Sequence, residues 1–269
     1  MLPDWMQNLP FRLGTTSYIL PDDILPNVRY LSGRVRDIEL VLFELDDGMT
    51  NLPSLDVLTE LRELASQADL SYTVHLPLDL RLGGAGAEQS LSLIKARRVI
   101  QSTQVLEPWA YVLHLDGRQE RRSPDPAVLA TWRDQAVRAL EIASNWAGAP
   151  TRLAVENLED YPPDFNFPVL QRSPVMQCLD IGHLWKDGQD PIVYLQACLP
   201  RARVIHLHGI RERDHQSLAH TPAQQLDTVL QILLDAPFRG VVTLEVFSQD
   251  DLNTSLQAVR DSLHRLGSG

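Results

Sequence analysis

Eight short runs of strand-forming residues, most of them alternating apolar with polar, recur along the chain, each followed by a stretch long enough for a helix. They are 12–18 (RLGTTSY), 37–44 (DIELVLFE), 71–76 (SYTVHL), 111–116 (YVLHLD), 152–157 (RLAVEN), 175–180 (VMQCLD), 203–208 (RVIHLH) and 241–247 (VVTLEVF). Their length and branched or aromatic content predict strands. The segments between them open on helix-start signals. Pro53-Ser54 precedes LDVLTELRELASQA, Ser123-Pro124-Asp125-Pro126 precedes AVLATWRDQAVRALEIASNWAG, and Thr221-Pro222 precedes AQQLDTVLQILLDA. Small oxygen-bearing side chains accept from the free N–H groups of a first turn, and proline fits its fixed φ. Gly148 and Gly240 stand where helices should end. The stretch Gly83-Gly84-Ala85-Gly86 lacks the strand-then-helix spacing of a dinucleotide fingerprint and reads as a mobile loop.

Strand and helix alternating eight times in 269 residues is the rhythm of one (β/α)8 TIM barrel, an α/β fold of typically about 250 residues. No linker or shift in composition divides the chain, so a single domain over 1–269 is expected. The units share no sequence repeat.

Active sites of this fold form at the C-terminal ends of the strands. Those ends carry Glu44, His75, His114, Glu156, Asp180, His206 with His208, and Glu245, in strand order from the second to the eighth. Side chains alternate along a strand. His75 lies between Val74 and Leu76, His114 between Leu113 and Leu115, Asp180 between Leu179 and Ile181, His206 between Ile205 and Leu207, and Glu245 between Leu244 and Val246. The apolar neighbours must face the helices, so the imidazoles and carboxylates face inward and converge at one mouth. Tyr18, at the end of the first strand, faces the same mouth as a candidate substrate contact.

Burying several carboxylates together is costly, because desolvation opposes their charge and like charges repel. A divalent cation removes both objections, and mixed Asp, Glu and His donors suit Zn, Mn or Fe better than Ca or Mg. Asp180-x-x-His183 lets two more donors reach one cavity from a single turn. Arg211 and Arg213, in the charged stretch after the seventh strand, are candidate phosphate contacts.

Composition narrows the substrate. The chain is 44% hydrophobic and 22% charged, an ordinary globular balance, but its formal net charge is −11 and only Lys95 and Lys186 are lysines. A nucleic-acid partner would require a basic face, so a small anionic molecule is expected instead. No run of about 18 apolar residues is present, and MLPDWMQNLPF has no basic region leading an apolar stretch, so neither a membrane span nor a secretory leader is expected and the location is taken as cytoplasmic. Cys178 and Cys198 lack metal-ligand spacing and read as buried apolar residues.

Together, Glu156, Asp180 with His183, His206 and Glu245 resemble the metal set of the xylose isomerase-like barrels, which include sugar epimerases and apurinic-site enzymes of the endonuclease IV type. The resemblance implies one metal shared by the carboxylate of strand 5, the carboxylate of strand 6, the histidine of strand 7 and the glutamate of strand 8. His75 and His114 resemble the histidines with which the phosphodiesterase branch holds further ions. That branch carries Asp-x-His after strand 7 for a third ion, whereas this chain has the adjacent Asp214-His215 with Arg213 before them. His208 or His215 is then the candidate replacement, and one to three ions of Zn or Mn are expected.

More narrowly, GTTSYILPDDILPNVRYLSGRVRDIELVLFE, YTVHLPLDL and CLDIGHLW resemble the cobamide-remodelling phosphodiesterases. That resemblance implies hydrolysis of the phosphoester in the nucleotide loop of a cobamide. Glu156, His183 and His208 are then the candidate catalytic groups, the two histidines as ligands or proton donors to the leaving group, while Tyr18, Glu44, Arg211 and Arg213 contact substrate. The alternative is a sugar isomerase or epimerase acting on a phosphorylated sugar, in which Glu156 and Glu245 exchange a proton beside a metal-held carbonyl.

Overall fold

A computed structural model describes residues 2–45 and 48–267 of the chain. Eight parallel strands close into a barrel in sequence order: β1 (Arg12–Thr16), β2 (Asp37–Val41), β3 (Ser71–His75), β4 (Tyr111–Leu113), β5 (Leu153–Glu156), β6 (Met176–Asp180), β7 (Ala202–Leu207) and β8 (Val241–Leu244). Closure leaves no sheet edge. Several strands stop earlier than the sequence pattern suggests: β2 at Val41 rather than 44, β4 at Leu113 rather than 116, and β8 at Leu244 rather than 247. The inter-strand ladder ends there, and the chain turns away to form the mouth.

The expected helix starts are present. Ser54 Oγ accepts from Val57 N at 3.4 Å ahead of Leu55–Ala68, and Asp125 accepts from Ala127 N at 2.9 Å with Pro126 opening Pro126–Ala147. Gly148 ends the latter helix at φ 83°. Gly240 does not end a helix; it directly precedes β8, because Ala223–Asp235 has already stopped.

In the stretch 83–86, Gly83 and Gly84 are buried while Ala85 and Gly86 are exposed. A Cβ on Gly83 would sit 2.1 Å from Trp132 Nε1, so the absence of a side chain lets the loop close on the ring. Gly86 already begins the helix Gly86–Thr103.

The alternation along the strands sorts two environments. Outward residues such as Leu40, Val74, Leu113, Leu179, Ile205 and Leu244 are fully or almost fully buried in the main core against the helices. The inside of the barrel is asymmetric. Ala110, Val112, Ala154, Cys178 and Val204 form a small apolar plug on the β4–β7 side, while Asp37, Glu39, Thr73 and Thr243 are buried on the β8–β3 side. Both cysteines are buried and free. No described helix is long and apolar enough to cross a membrane.

Candidate metal centre

At the C-terminal mouth, Glu156, Asp180, His206 and Glu245 bring one donor atom each to within 4.8 Å of one another. Glu156 and Asp180 end β5 and β6, His206 is the last residue but one of β7 and Glu245 directly follows β8, so the ladder itself sets their spacing. His206 Nδ1 lies 3.1 Å from Glu245 Oε2, 3.4 Å from Glu156 Oε1 and 3.7 Å from Asp180 Oδ2. Asp180 Oδ2, His206 Nδ1 and Glu245 Oε2 are buried without a hydrogen-bond partner. Orphaned donors of this kind are costly unless something occupies the space between them, and their mixed N and O character fits a divalent transition-metal ion.

Two further clusters flank this one and share its carboxylates. On one side, His75, His114 and Glu156 offer atoms within 4.8 Å of one another. Glu156 Oε2 is 3.2 Å from His75 Nε2 and 3.0 Å from His114 Nε2, leaving Oε1 for the central cluster. His75 Nδ1 donates to Leu76 O at 2.7 Å, which aims Nε2 at the site. On the other side, Asp180, His183, His208 and His215 form a third group. His183 Nδ1 donates to Asn157 O at 3.0 Å, and His208 Nε2 is 3.4 Å from Asp180 Oδ1. His215 joins this group from the hairpin closed by Gly209 and Gln216, where its φ is 55°.

Charge in the cluster is internally matched. Burial opposes protonation of His75, but the hydrogen bond and charge of Glu156 outweigh it and raise its pKa to about 9. His183 and His215 also rise to about 9 against burial, held up by Asp180 and Glu245 respectively. Burial would push Asp180 up, yet the neighbouring His183 and His208 hold it down at about 2. Glu156 and Glu245 lie well below the ordinary carboxylate range; burial resists this, and His206 is the chief counter-charge in both.

The other expected site residues lie further out. Glu44 is not on β2; it forms an isolated bridge with Thr50 and an ion pair with Arg98 at the rim. The β2 carboxylate that faces the metal centre is Glu39, whose Oε2 is 3.0 Å from His206 Nε2, both residues being completely buried. Its flanks, Ile38 and Leu40, show the same alternation that identifies the ligand residues. Tyr18 accepts from Asn51 Nδ2 at 3.1 Å. Arg211 and Arg213 are exposed on the hairpin that carries His215. Asn157 is a further residue that the sequence pattern does not single out: its amide accepts from Asp180 N at 2.9 Å and donates to Asp180 O at 2.8 Å, clamping β6 to β5 beneath the shared carboxylate.

The profile described as "Xylose isomerase-like TIM barrel" matches residues 35–267. The chain belongs to the xylose isomerase-like TIM barrel family. Among solved structures, a D-tagatose 3-epimerase-like protein is similar with TM-score 0.76 at 17% identity, covering 96% of this chain and 98% of that one. Endonuclease IV from Thermus thermophilus is similar with TM-score 0.70 at 18% identity, covering 94% and 99%. The probable 3-DHS dehydratase AsbF of Bacillus anthracis follows the same barrel with TM-score 0.73 at 12% identity, covering 93% and 98%. Curated protein sequences yield no match. At these identities the xylose isomerase-like barrel is the shared property, and its chemistry in this chain is a matter for the donor set.

Proposed function

We propose that the protein is a divalent-metal-dependent phosphodiesterase that hydrolyses the phosphoester in the nucleotide loop of a cobamide. The observation that carries this reading is the sharing of Glu156 and Asp180 across three adjoining donor clusters. An epimerase acting through one ion does not require His75 and His114 beside Glu156, or a third cluster beyond Asp180. Displacement at phosphorus has a use for them, because charge must be stabilised on both the attacking and the leaving oxygens. The substrate assignment rests on the N-terminal and β6 stretches that resemble cobamide-remodelling enzymes, and it agrees with an acidic chain poor in lysine.

Divalent ions, Zn or Mn, held by these residues would supply an activated water and neutralise charge on the phosphoryl oxygens. Glu156, with one oxygen toward each of two clusters, fixes their separation. Asp180 does the same toward His208. His183 presents Nε2 toward the mouth, 3.4 Å from Glu159 Oε2, and is placed to protonate a leaving oxygen. His208 is completely buried, and its Nδ1 accepts from His215 N at 3.1 Å, so its part is to support Asp180 and the hairpin rather than to meet substrate. Arg211 and Arg213, on that same hairpin, are free to meet a phosphate.

The four-residue central cluster alone favours a second reading, sugar epimerisation, with Glu156 and Glu245 on the two sides of a metal-held carbonyl. One experiment separates the two. Protein loaded with Zn²⁺ or Mn²⁺ is incubated with a complete cobamide and, separately, with ketoses, and the products are resolved by chromatography. Release of the phosphoester-cleaved corrinoid is expected. An intact cobamide alongside an epimerised ketose would sink the phosphodiesterase reading.

A further inference from the structure

We infer that Glu39 is a positioning residue of the metal centre, which fixes His206 in the tautomer that turns Nδ1 toward the ion. The inference rests on the reading that the central cluster holds a divalent metal.

Glu39 is completely buried on the inward face of β2, and its only side-chain hydrogen bond among the described residues is to His206 Nε2, at 3.0 Å. Its Oε1 has no partner. A buried carboxylate with one hydrogen bond is expensive to keep, and it lies across the barrel from its partner, on β2 against β7, so no local turn or cap accounts for it. The partner explains it. An imidazole whose Nε2–H is given to a carboxylate must present a lone pair at Nδ1, and Nδ1 is the atom surrounded by Glu245, Glu156 and Asp180 at 3.1, 3.4 and 3.7 Å. A carboxylate behind a ligating imidazole fixes its tautomer and ring angle and strengthens it as a donor, and losing such a partner typically weakens metal binding about 10–100-fold.

The fold supplies equivalent anchors elsewhere in the centre from the backbone. His75 gives its Nδ1 proton to Leu76 O, and His183 gives its own to Asn157 O. Those two histidines are anchored through Nδ1, whereas His206 is anchored through Nε2. Among the described residues no main-chain carbonyl bonds its rear nitrogen, and Glu39 takes that place. Asp37, two residues earlier on the same inward face, is bonded to Ser71 instead and does not compete for His206.

The test compares the wild-type protein with Glu39→Leu, which removes the acceptor, and Glu39→Gln, which keeps an acceptor oxygen of the same reach. Affinity for the tightest-bound Zn²⁺ is measured by competition with a chromophoric chelator, together with thermal unfolding of the metal-free forms. Glu39→Leu is expected to weaken that Zn²⁺ about 10–100-fold, with Glu39→Gln recovering most of the loss. Wild-type affinity in Glu39→Leu, with only a changed unfolding temperature, would overturn the inference while leaving the metal centre standing. Failure of the wild-type protein to bind Zn²⁺ would overturn both. Long-range ¹⁵N–¹H correlation of the zinc-loaded wild-type protein decides independently of any variant's folding: His206 must be protonated at Nε2, and protonation at Nδ1 refutes the assignment.

Discussion

Glu156 is the residue on which the most geometry depends, since its two oxygens face different clusters, Oε2 toward His75 and His114 and Oε1 toward His206. Replacing it therefore differs in kind from replacing a histidine. Glu156→Ala is expected to lower the bound-ion count by two and, on the proposed phosphodiesterase reading, the rate by more than about 100-fold, given that even outer partners of ligands cost about 10–100-fold. His114→Ala should remove one ion only. Elemental analysis after equilibration with Zn²⁺ and desalting reads the counts. If Glu156→Ala lost no more metal than His114→Ala, the carboxylate would not be shared.

Among the elements, the short helix Ile181–Lys186 is the one whose backbone is set most tightly by the site. Asp180 caps it by accepting from His183 N at 2.7 Å while facing two clusters, and Gly182 lies directly against His208. A Cβ on Gly182 would stand 2.2 Å from His208 Nε2. Gly182→Ala must therefore displace a completely buried ring or the first turn of the helix. Overpacking of this sort costs about 1–3 kcal/mol, and the displaced ring should disturb Asp180 and the His215 hairpin that it supports and so weaken any ion bound between Asp180 and His215. Calorimetry and ion counting together check this: a lower Tm with one ion lost, while the His75 and His114 site stays filled. Retention of every ion would show that the third cluster does not depend on the placement of His208.

The same element scale shows what the sequence could and could not reveal. The barrel and the inward convergence of Asp180, His206 and Glu245 are legible because each of these donors lies at or beside a strand end between apolar neighbours. β2 is ambiguous because DIELVLFE holds two glutamates with apolar flanks, Glu39 and Glu44, and an interval of five residues puts them on opposite faces. Proximity to the mouth favours Glu44, and the structure selects Glu39. Where a strand ends is decided by its neighbours' ladder, which alternation within one strand does not contain. Asn157 is hidden for a related reason, since both of its amide bonds run to the backbone of another strand. His215 reaches the centre through its own left-handed backbone in a hairpin, a conformation that residue spacing does not encode.

Across the whole molecule, the centre couples folding to pH in opposite ways with and without metal. In the metal-free protein, burial disfavours the charged forms of His75, His183 and His215, but carboxylate neighbours prevail and raise each to about 9, against 6.5 for an ordinary imidazole. A group whose folded pKa is raised contributes stability that is complete below about pH 6.5 and is lost as pH climbs through about 9. Asp37 acts in the same direction over a lower window: burial raises it from 3.8 to about 7, so its protonated form favours the fold at low pH and that contribution is gone by about pH 7. The metal-free protein should accordingly lose at least several degrees of Tm between about pH 6.5 and 9. Metal competes with protons for the same nitrogens, so its affinity should rise over that interval. The gain in Tm on adding Zn²⁺ should therefore widen as the metal-free protein weakens. Thermal unfolding at a series of pH values, in chelator and in saturating Zn²⁺, measures both curves. A metal-free Tm that rose over that same interval would mean that the imidazoles are neutral in the fold, and that the carboxylates beside them are balanced by something other than protons on their neighbours.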